Sequence, residues 1–162
     1  MIFEKKRLNI LIIEDNTQDY ILTDSYLSAK FKNYKVVHAE SSKSAITELK
    51  KSNKRAFDVI LLDLSLPDNE GIKLIKLIQA QAPYTPIIIL TGYSDLNAVI
   101  DAINKGEVYR YLTKPWDPDT IRHTIEKAYE VFDLREENKV LTEKLKEANE
   151  QLEFLLRQNL IS

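Results

Sequence analysis

FDVILLDLSLPDNEG, running from Phe57 to Gly71, is the stretch on which the reading of this chain turns. Val59, Ile60, Leu61 and Leu62 form an unbroken apolar run, the pattern of a strand buried on both faces of a parallel sheet. Asp63 ends that run, just before a loop carrying Pro67 and Gly71, and is therefore expected at the carboxyl edge of the sheet, where open α/β sheets hold their ligands. Two more strand ends point to the same edge. LNILII (Leu8 to Ile13) runs into Glu14–Asp15, and IIIL (Ile87 to Leu90) runs into Thr91–Gly92. A third segment, YRYLTKPW, puts Lys114 at the corresponding place. Three carboxylates, a hydroxyl and an ammonium at four strand ends describe an acidic pocket suited to a metal ion and to phosphate.

The segments between the strands read as helices. Asn16 or Thr17 caps a helix from about Gln18 to Lys30, with Tyr20, Ile21, Tyr26 and Leu27 available for its inner face. Tyr34 to Ala39 is a short strand. Ser41 or Ser42 then opens a helix with Ala45, Ile46 and Leu49 at helical spacing, and Asn53 and Lys54 mark a surface turn. A third helix spans about Ile72 to Gln81, its stripe made by Leu74, Ile75 and Ile78, and Pro83 and Pro86 end it. Ser94 or Asp95 caps a fourth, bearing Ala98, Val99, Ala102 and Ile103, with Gly106 as its stop. Tyr109 to Leu112 is the fifth strand. Strands alternating with single helices imply right-handed crossovers and an α/β, flavodoxin-like, doubly wound five-stranded parallel sheet of order 2-1-3-4-5. In that order the first and third strands are neighbours, and Glu14, Asp15 and Asp63 share one crevice.

Composition narrows the function classes. The chain has 162 residues, 44% of them hydrophobic and 30% charged, with no cysteine, so neither disulfides nor thiolate metal sites are available. Cytoplasm is the expected location, since no stretch resembles a leader or a membrane span. The formal charge is −2, with the acidic excess in the part from Asp117 onward, and no basic stripe suggests direct contact with nucleic acid. Only three glycines exist (Gly71, Gly92, Gly106), and none forms a phosphate-cradling loop, which disfavours a nucleotide-binding reading.

Three adjacent carboxylates repel one another unless a cation sits among them, and oxygen-only ligands select a hard ion, with Mg²⁺ the usual choice beside phosphate. The Asp63 carboxylate can then attack a phosphoryl group, Lys114 can neutralise a phosphoryl oxygen, and the Thr91 hydroxyl can donate to another. Plainer readings exist: Thr91 as a helix cap, Tyr111 as core, Lys114 as a surface lysine before proline. A phosphohydrolase of the haloacid-dehalogenase kind also uses an aspartyl nucleophile, but its second acid two residues later is here Ser65.

With Glu14–Asp15, DLSLP around Asp63, LTG with Thr91 and YLTKP with Tyr111 and Lys114 in this order, residues 7 to about 130 resemble the receiver domain of bacterial two-component response regulators. The resemblance implies phosphotransfer from a sensor histidine kinase to Asp63, with Glu14, Asp15 and Asp63 binding Mg²⁺ and the Ser65 backbone carbonyl as a further ligand. It implies Thr91 and Tyr111 as a switch pair, and a cis bond between Lys114 and Pro115. The first acid, Glu14, stands where the family more commonly has Asp. YRYLTKPW is more similar to receivers attached to larger regulators than to the isolated chemotaxis type. A signalling module, not a turnover enzyme, is implied.

Beyond the receiver (1–130), residues 131–162 read differently. From Asp119 to about Asn159 there is no Gly or Pro. Val131, Asn138, Leu145 and Leu152 fall at heptad position a, and Leu134, Leu141, Ala148 and Leu155 at d, so the last helix is expected to extend into a coiled coil and form a parallel homodimer. A solvated amphipathic helix on its own domain is the alternative, and a phosphorylation-independent dimerisation module is the alternative function. A receiver helix of this kind usually leads to an output domain, which would lie beyond Ser162; otherwise the chain acts through protein contacts.

Overall fold

The computed structural model describes residues 7–51, 57–66, 71–92 and 96–161. Five strands and five helices alternate: β1 (Leu8–Ile13), α1 (Thr17–Lys30), β2 (Tyr34–Ala39), α2 (Ser42–Lys51), β3 (Val59–Asp63), α3 (Gly71–Gln81), β4 (Ile87–Thr91), α4 (Leu96–Asn104), β5 (Arg110–Thr113) and α5 (Pro118–Ile161). All strand pairs are parallel, and the sheet order is β2-β1-β3-β4-β5, the flavodoxin-like order expected. The chain divides into two compact units, Met1–Phe132 and Asp133–Ser162.

The two-faced burial that the apolar runs require is present in the first unit. Leu11, Ile13, Ile60, Leu62 and Ile89 face one core, closed by α2, α3 and α4 through Ala45, Leu49, Leu74, Ile78 and Val99. Their alternate neighbours Ile10, Ile12, Leu61, Ile88 and Leu90 face a second core, closed by α1 and α5 through Leu27, Ile121, Ile125 and Ala128. Every residue of β3 and of β4 is buried. At about 1.5–3 kcal/mol for each buried Leu or Ile side chain, these central strands anchor the fold and leave little freedom at their ends.

Local signals set the helix boundaries. Asn16 caps α1, its side chain accepting from the Asp19 N–H at 3.0 Å. Ser41 and Ser44 cap α2 reciprocally: the Ser44 N–H donates to Ser41 Oγ at 3.1 Å, and the Ser41 N–H to Ser44 Oγ at 3.0 Å. After α4, Gly106 takes φ +73°, with its N–H on the Ile103 carbonyl and the Glu107 N–H on the Ala102 carbonyl, a Schellman stop.

Some expectations shift. Ile21 is 59% exposed, not on the inner face, because the buried stripe of α1 runs through Tyr20, Thr23 and Leu27 and Ile21 lies about 100° away from it. Ala98 is exposed for the same reason on α4, where Val99 and Ala102 are buried. β4 runs on to Thr91, and β5 is displaced by one residue to Arg110–Thr113. The expected turn at Asn53 and Lys54, the caps Ser94 and Asp95, and Pro67 lie outside the described residues.

Candidate functional site

Glu14, Asp15, Asp63, Thr91 and Lys114 each stand at or just past the carboxyl end of a strand. Glu14 follows β1, and its N–H donates to the Ala39 carbonyl of β2 at 3.0 Å, which carries the β1–β2 pairing to the carboxyl edge of the sheet. Its side chain is buried, while the adjacent Asp15 is exposed. Asp63 is the last residue of β3, in register with Leu90 of β4, and only 2% exposed. The neighbouring positions of β1 and β3 bring Glu14, Asp15 and Asp63 together, with one carboxylate oxygen of each within 4.8 Å of the others.

Lys114 enters this group from the end of β5. Its backbone N–H donates to the Thr91 carbonyl at 2.9 Å, and the Lys114–Pro115 bond that follows is cis. Its Nζ lies 3.1 Å from Asp63 Oδ2, 3.5 Å from Glu14 Oε1 and 3.4 Å from Asp19 Oδ2. The opposite oxygen of Asp63, Oδ1, accepts the Ser65 N–H at 2.9 Å. The nucleophile candidate is thus gripped from both sides. The Ser65 side chain is exposed, so its contribution to the site is a backbone one.

Electrostatics follow from this crowding. Burial, then hydrogen bonding and repulsion from Asp63, push the Glu14 carboxyl up to about 9, with Lys114 pulling the other way. Burial also opposes ionisation of Asp63. There the hydrogen bond with Glu14, the Ser65 N–H and Lys114 outweigh it, and the carboxyl is held below its ordinary value. Lys114 is likewise disfavoured by burial but raised on balance by Asp63, Glu14 and Asp19. The buried Glu14 Oε2 has no hydrogen-bond partner. An orphaned carboxylate oxygen beside two further carboxylates is the donor set that a hard cation fits.

Thr91 and Tyr111 are near one another in the sheet but not joined. Thr91 is fully buried at the end of β4, and its hydroxyl donates to the Gly92 carbonyl at 2.9 Å. Tyr111 pairs in register with Ile89, so it shares a sheet face with Thr91, one diagonal step back, and packs half-buried against the core there. Asp19 is the residue that sequence reasoning missed. An acid in the first turn of a helix reads as a complement to the helix dipole, and only the closeness of α1's start to β5's end reveals its contact with Lys114.

The profile of the response regulator receiver domain matches residues 10–126. This chain belongs to that family. Receivers of this family are the signalling domains of two-component systems, and curated proteins similar to this chain include transcriptional regulators. The transcriptional regulatory protein ZraR of Escherichia coli O157:H7 is 31% identical over 121 residues, 75% of this chain and 26% of that protein. The alginate biosynthesis transcriptional regulatory protein AlgB of Pseudomonas aeruginosa is 29% identical over 149 residues, 92% of this chain and 32% of AlgB. This receiver chain therefore spans about a quarter to a third of the length of these curated relatives. Among solved structures, one described as adenylate cyclase from Rhodopirellula baltica aligns with TM-score 0.77 at 28% identity, covering 86% of this chain and 99% of that one. A response regulator receiver domain protein from Clostridium thermocellum aligns with TM-score 0.71 at 27% identity, covering 78% and 98%. No helix among the described residues of this receiver is long and apolar enough to cross a membrane.

Proposed function

We propose that this receiver accepts a phosphoryl group on Asp63 from a sensor histidine kinase. The observation that carries the reading is the buried Asp63 carboxylate at the sheet edge, with Lys114 Nζ at 3.1 Å and Glu14 and Asp15 beside it. An Asp63 oxygen attacks the phosphorus, the phosphorus–nitrogen bond to the kinase imidazole breaks, and the imidazole nitrogen leaves with the electron pair. Lys114 meets the charge on a phosphoryl oxygen, and the Ser65 N–H keeps the other Asp63 oxygen oriented. Glu14, Asp15 and Asp63 would hold Mg²⁺ together with the Ser65 carbonyl. When bound, that ion supplies the positive charge that lets anionic donor and carboxylate approach. Thr91 and Tyr111 act as the switch: the Thr91 hydroxyl exchanges the Gly92 carbonyl for phosphate, and the Tyr111 ring follows. No turnover activity is assigned to the chain.

The test is direct. The protein is incubated with Mg²⁺ and a small acyl phosphate, and its intact mass is measured. One phosphoryl mass is expected on the wild type and none on Asp63→Asn; equal uptake by both removes Asp63 from the role.

A parallel two-stranded coiled coil from about residue 131 completes the proposal, the receiver function being assigned to residues 1–130. Leu134, Leu141, Leu145, Leu152 and Leu155 recur along α5, each more than half exposed, and a second copy of the same helix is the occupant that such a repeat fits. No basic stripe supports direct nucleic-acid contact by this chain. The absence of cysteine suits a cytoplasmic setting.

A further inference from the structure

Lys114 divides its charge among three carboxylates, and the reading above explains only two of them. Asp63 is the phosphoacceptor and Glu14 a cation ligand. Asp19 comes from the first turn of α1 and not from a strand end, yet its Oδ2 is 3.4 Å from Lys114 Nζ. Its side chain is 43% exposed, against 2% for Asp63 and 3% for Glu14. The backbone beneath it is fixed by the helix cap: Asn16 Oδ1 takes the Asp19 N–H and the Asn16 carbonyl takes the Tyr20 N–H, each at 3.0 Å. A phosphoryl group on Asp63 brings new anionic oxygens within reach of the same ammonium. Lys114 has three N–H donors and cannot keep every acceptor. Of its present partners, Asp19 is the one that water replaces at least cost, because it alone is substantially solvated.

We propose that Asp19 is a positioning residue that holds Lys114 in the unphosphorylated receiver and releases it to the phosphoryl group, so that the Asp19–Lys114 pair opposes formation of the phosphorylated state. The proposal rests on Asp63 being the phosphoacceptor. It makes the opposite prediction from structural damage: loss of Asp19 strengthens the response of the site to phosphate. Lys114 Nζ also lies 5.6 Å from the ring centroid of Trp116, the chain's single tryptophan. A displaced ammonium changes the field on that indole, so tryptophan emission reports the release.

The experiment titrates beryllofluoride, a phosphoryl mimic, into the full chain at saturating Mg²⁺, followed by Trp116 emission and by calorimetry. Wild type, Asp19→Asn and Asp19→Glu are compared at low and moderate salt. Asp19→Asn is expected to bind the mimic about two- to fivefold tighter, the scale of a partly exposed ion pair. Asp19→Glu, which keeps the charge, returns toward wild type, and the gain shrinks as salt screens the pair. If the wild type takes up both the mimic and a phosphoryl group while Asp19→Asn binds no tighter, this inference alone is overturned. If the wild type takes up neither, the phosphoacceptor reading falls, and this one with it.

Discussion

The Glu14 carboxyl is held far above its ordinary range by burial and by Asp63, and this ties stability to pH. In metal-free buffer the folded protein keeps the Glu14 proton up to about 9, whereas an unfolded glutamate loses it near 4.5. Between those values the folded state binds more protons than the unfolded state, so stability falls as pH rises. The contribution is fully present below about 4.5 and is lost progressively as pH climbs toward 9. Glu14→Gln carries no such proton. In thermal melts with chelator, its melting temperature is expected to gain on the wild type by several degrees between pH 5 and pH 8, on a scale where about 1 kcal/mol moves a domain of this size by roughly 2–8 °C. Parallel curves for the two proteins would count against the protonated Glu14. If Mg²⁺ binds as proposed it competes with that proton, so millimolar Mg²⁺ should raise the wild-type melting temperature more at pH 8 than at pH 6, an increment that Asp15→Ala should diminish.

At the scale of elements, the stop of α4 offers a clean measurement. A Cβ added at Gly106 meets nothing within 4 Å, so Gly106→Ala carries only the conformational cost of φ +73°. Denaturant unfolding should show a loss of about 1 kcal/mol with an unchanged m-value. The proposed switch belongs to this scale as well. With beryllofluoride, amide exchange in α4 and β5 should slow in the wild type, respond less in Thr91→Ala, and not respond in Lys114→Ala; identical exchange with and without the mimic would refute the Thr91–Tyr111 coupling. The strands were legible in the sequence because burial on both faces demands apolar runs, as at Val59 to Leu62. Helix faces were less so. Ile21 is apolar yet exposed, whereas Thr23 is polar yet buried, because the face of α1 is set by how the helix lies on the sheet and not by hydrophobicity alone. Of the site, the strand-end groups could be read from position, since topology carries them to one edge. Asp19 could not, since its meeting with Lys114 spans elements far apart in the chain.

For the whole molecule, the proposed coiled coil of residues 131–162 makes the state of assembly the quantity to measure. Asn138 sits at an a position among Val131, Leu145 and Leu152, where it weakens a coiled coil but favours a two-stranded parallel register. Light scattering at tens of micromolar should find the wild type dimeric and a chain ending at Asp133 monomeric. Asn138→Leu should melt higher and admit larger oligomers. A monomeric wild type would end the coiled-coil proposal.

The sheet itself has a mechanical consequence. β3 and β4 are buried along their whole length, and β1 nearly so, which makes the middle of the sheet a stiff plate. Its margins are compliant: β2 has one buried residue of six, and β5 one of four. Under the proposed phosphorylation of Asp63, the added group loads the stiff part of the sheet, and the margins are where the sheet would give. β2 joins this region through its ladder with β1 and through His38 Nε2, 2.7 Å from the Glu14 carbonyl, whereas the residue after β5, Lys114, reaches Asp63 itself with its side chain. Under the proposed switch, β5 is the margin that Lys114 ties to Asp63 by a side chain, and the strain of phosphorylation would leave the sheet along it.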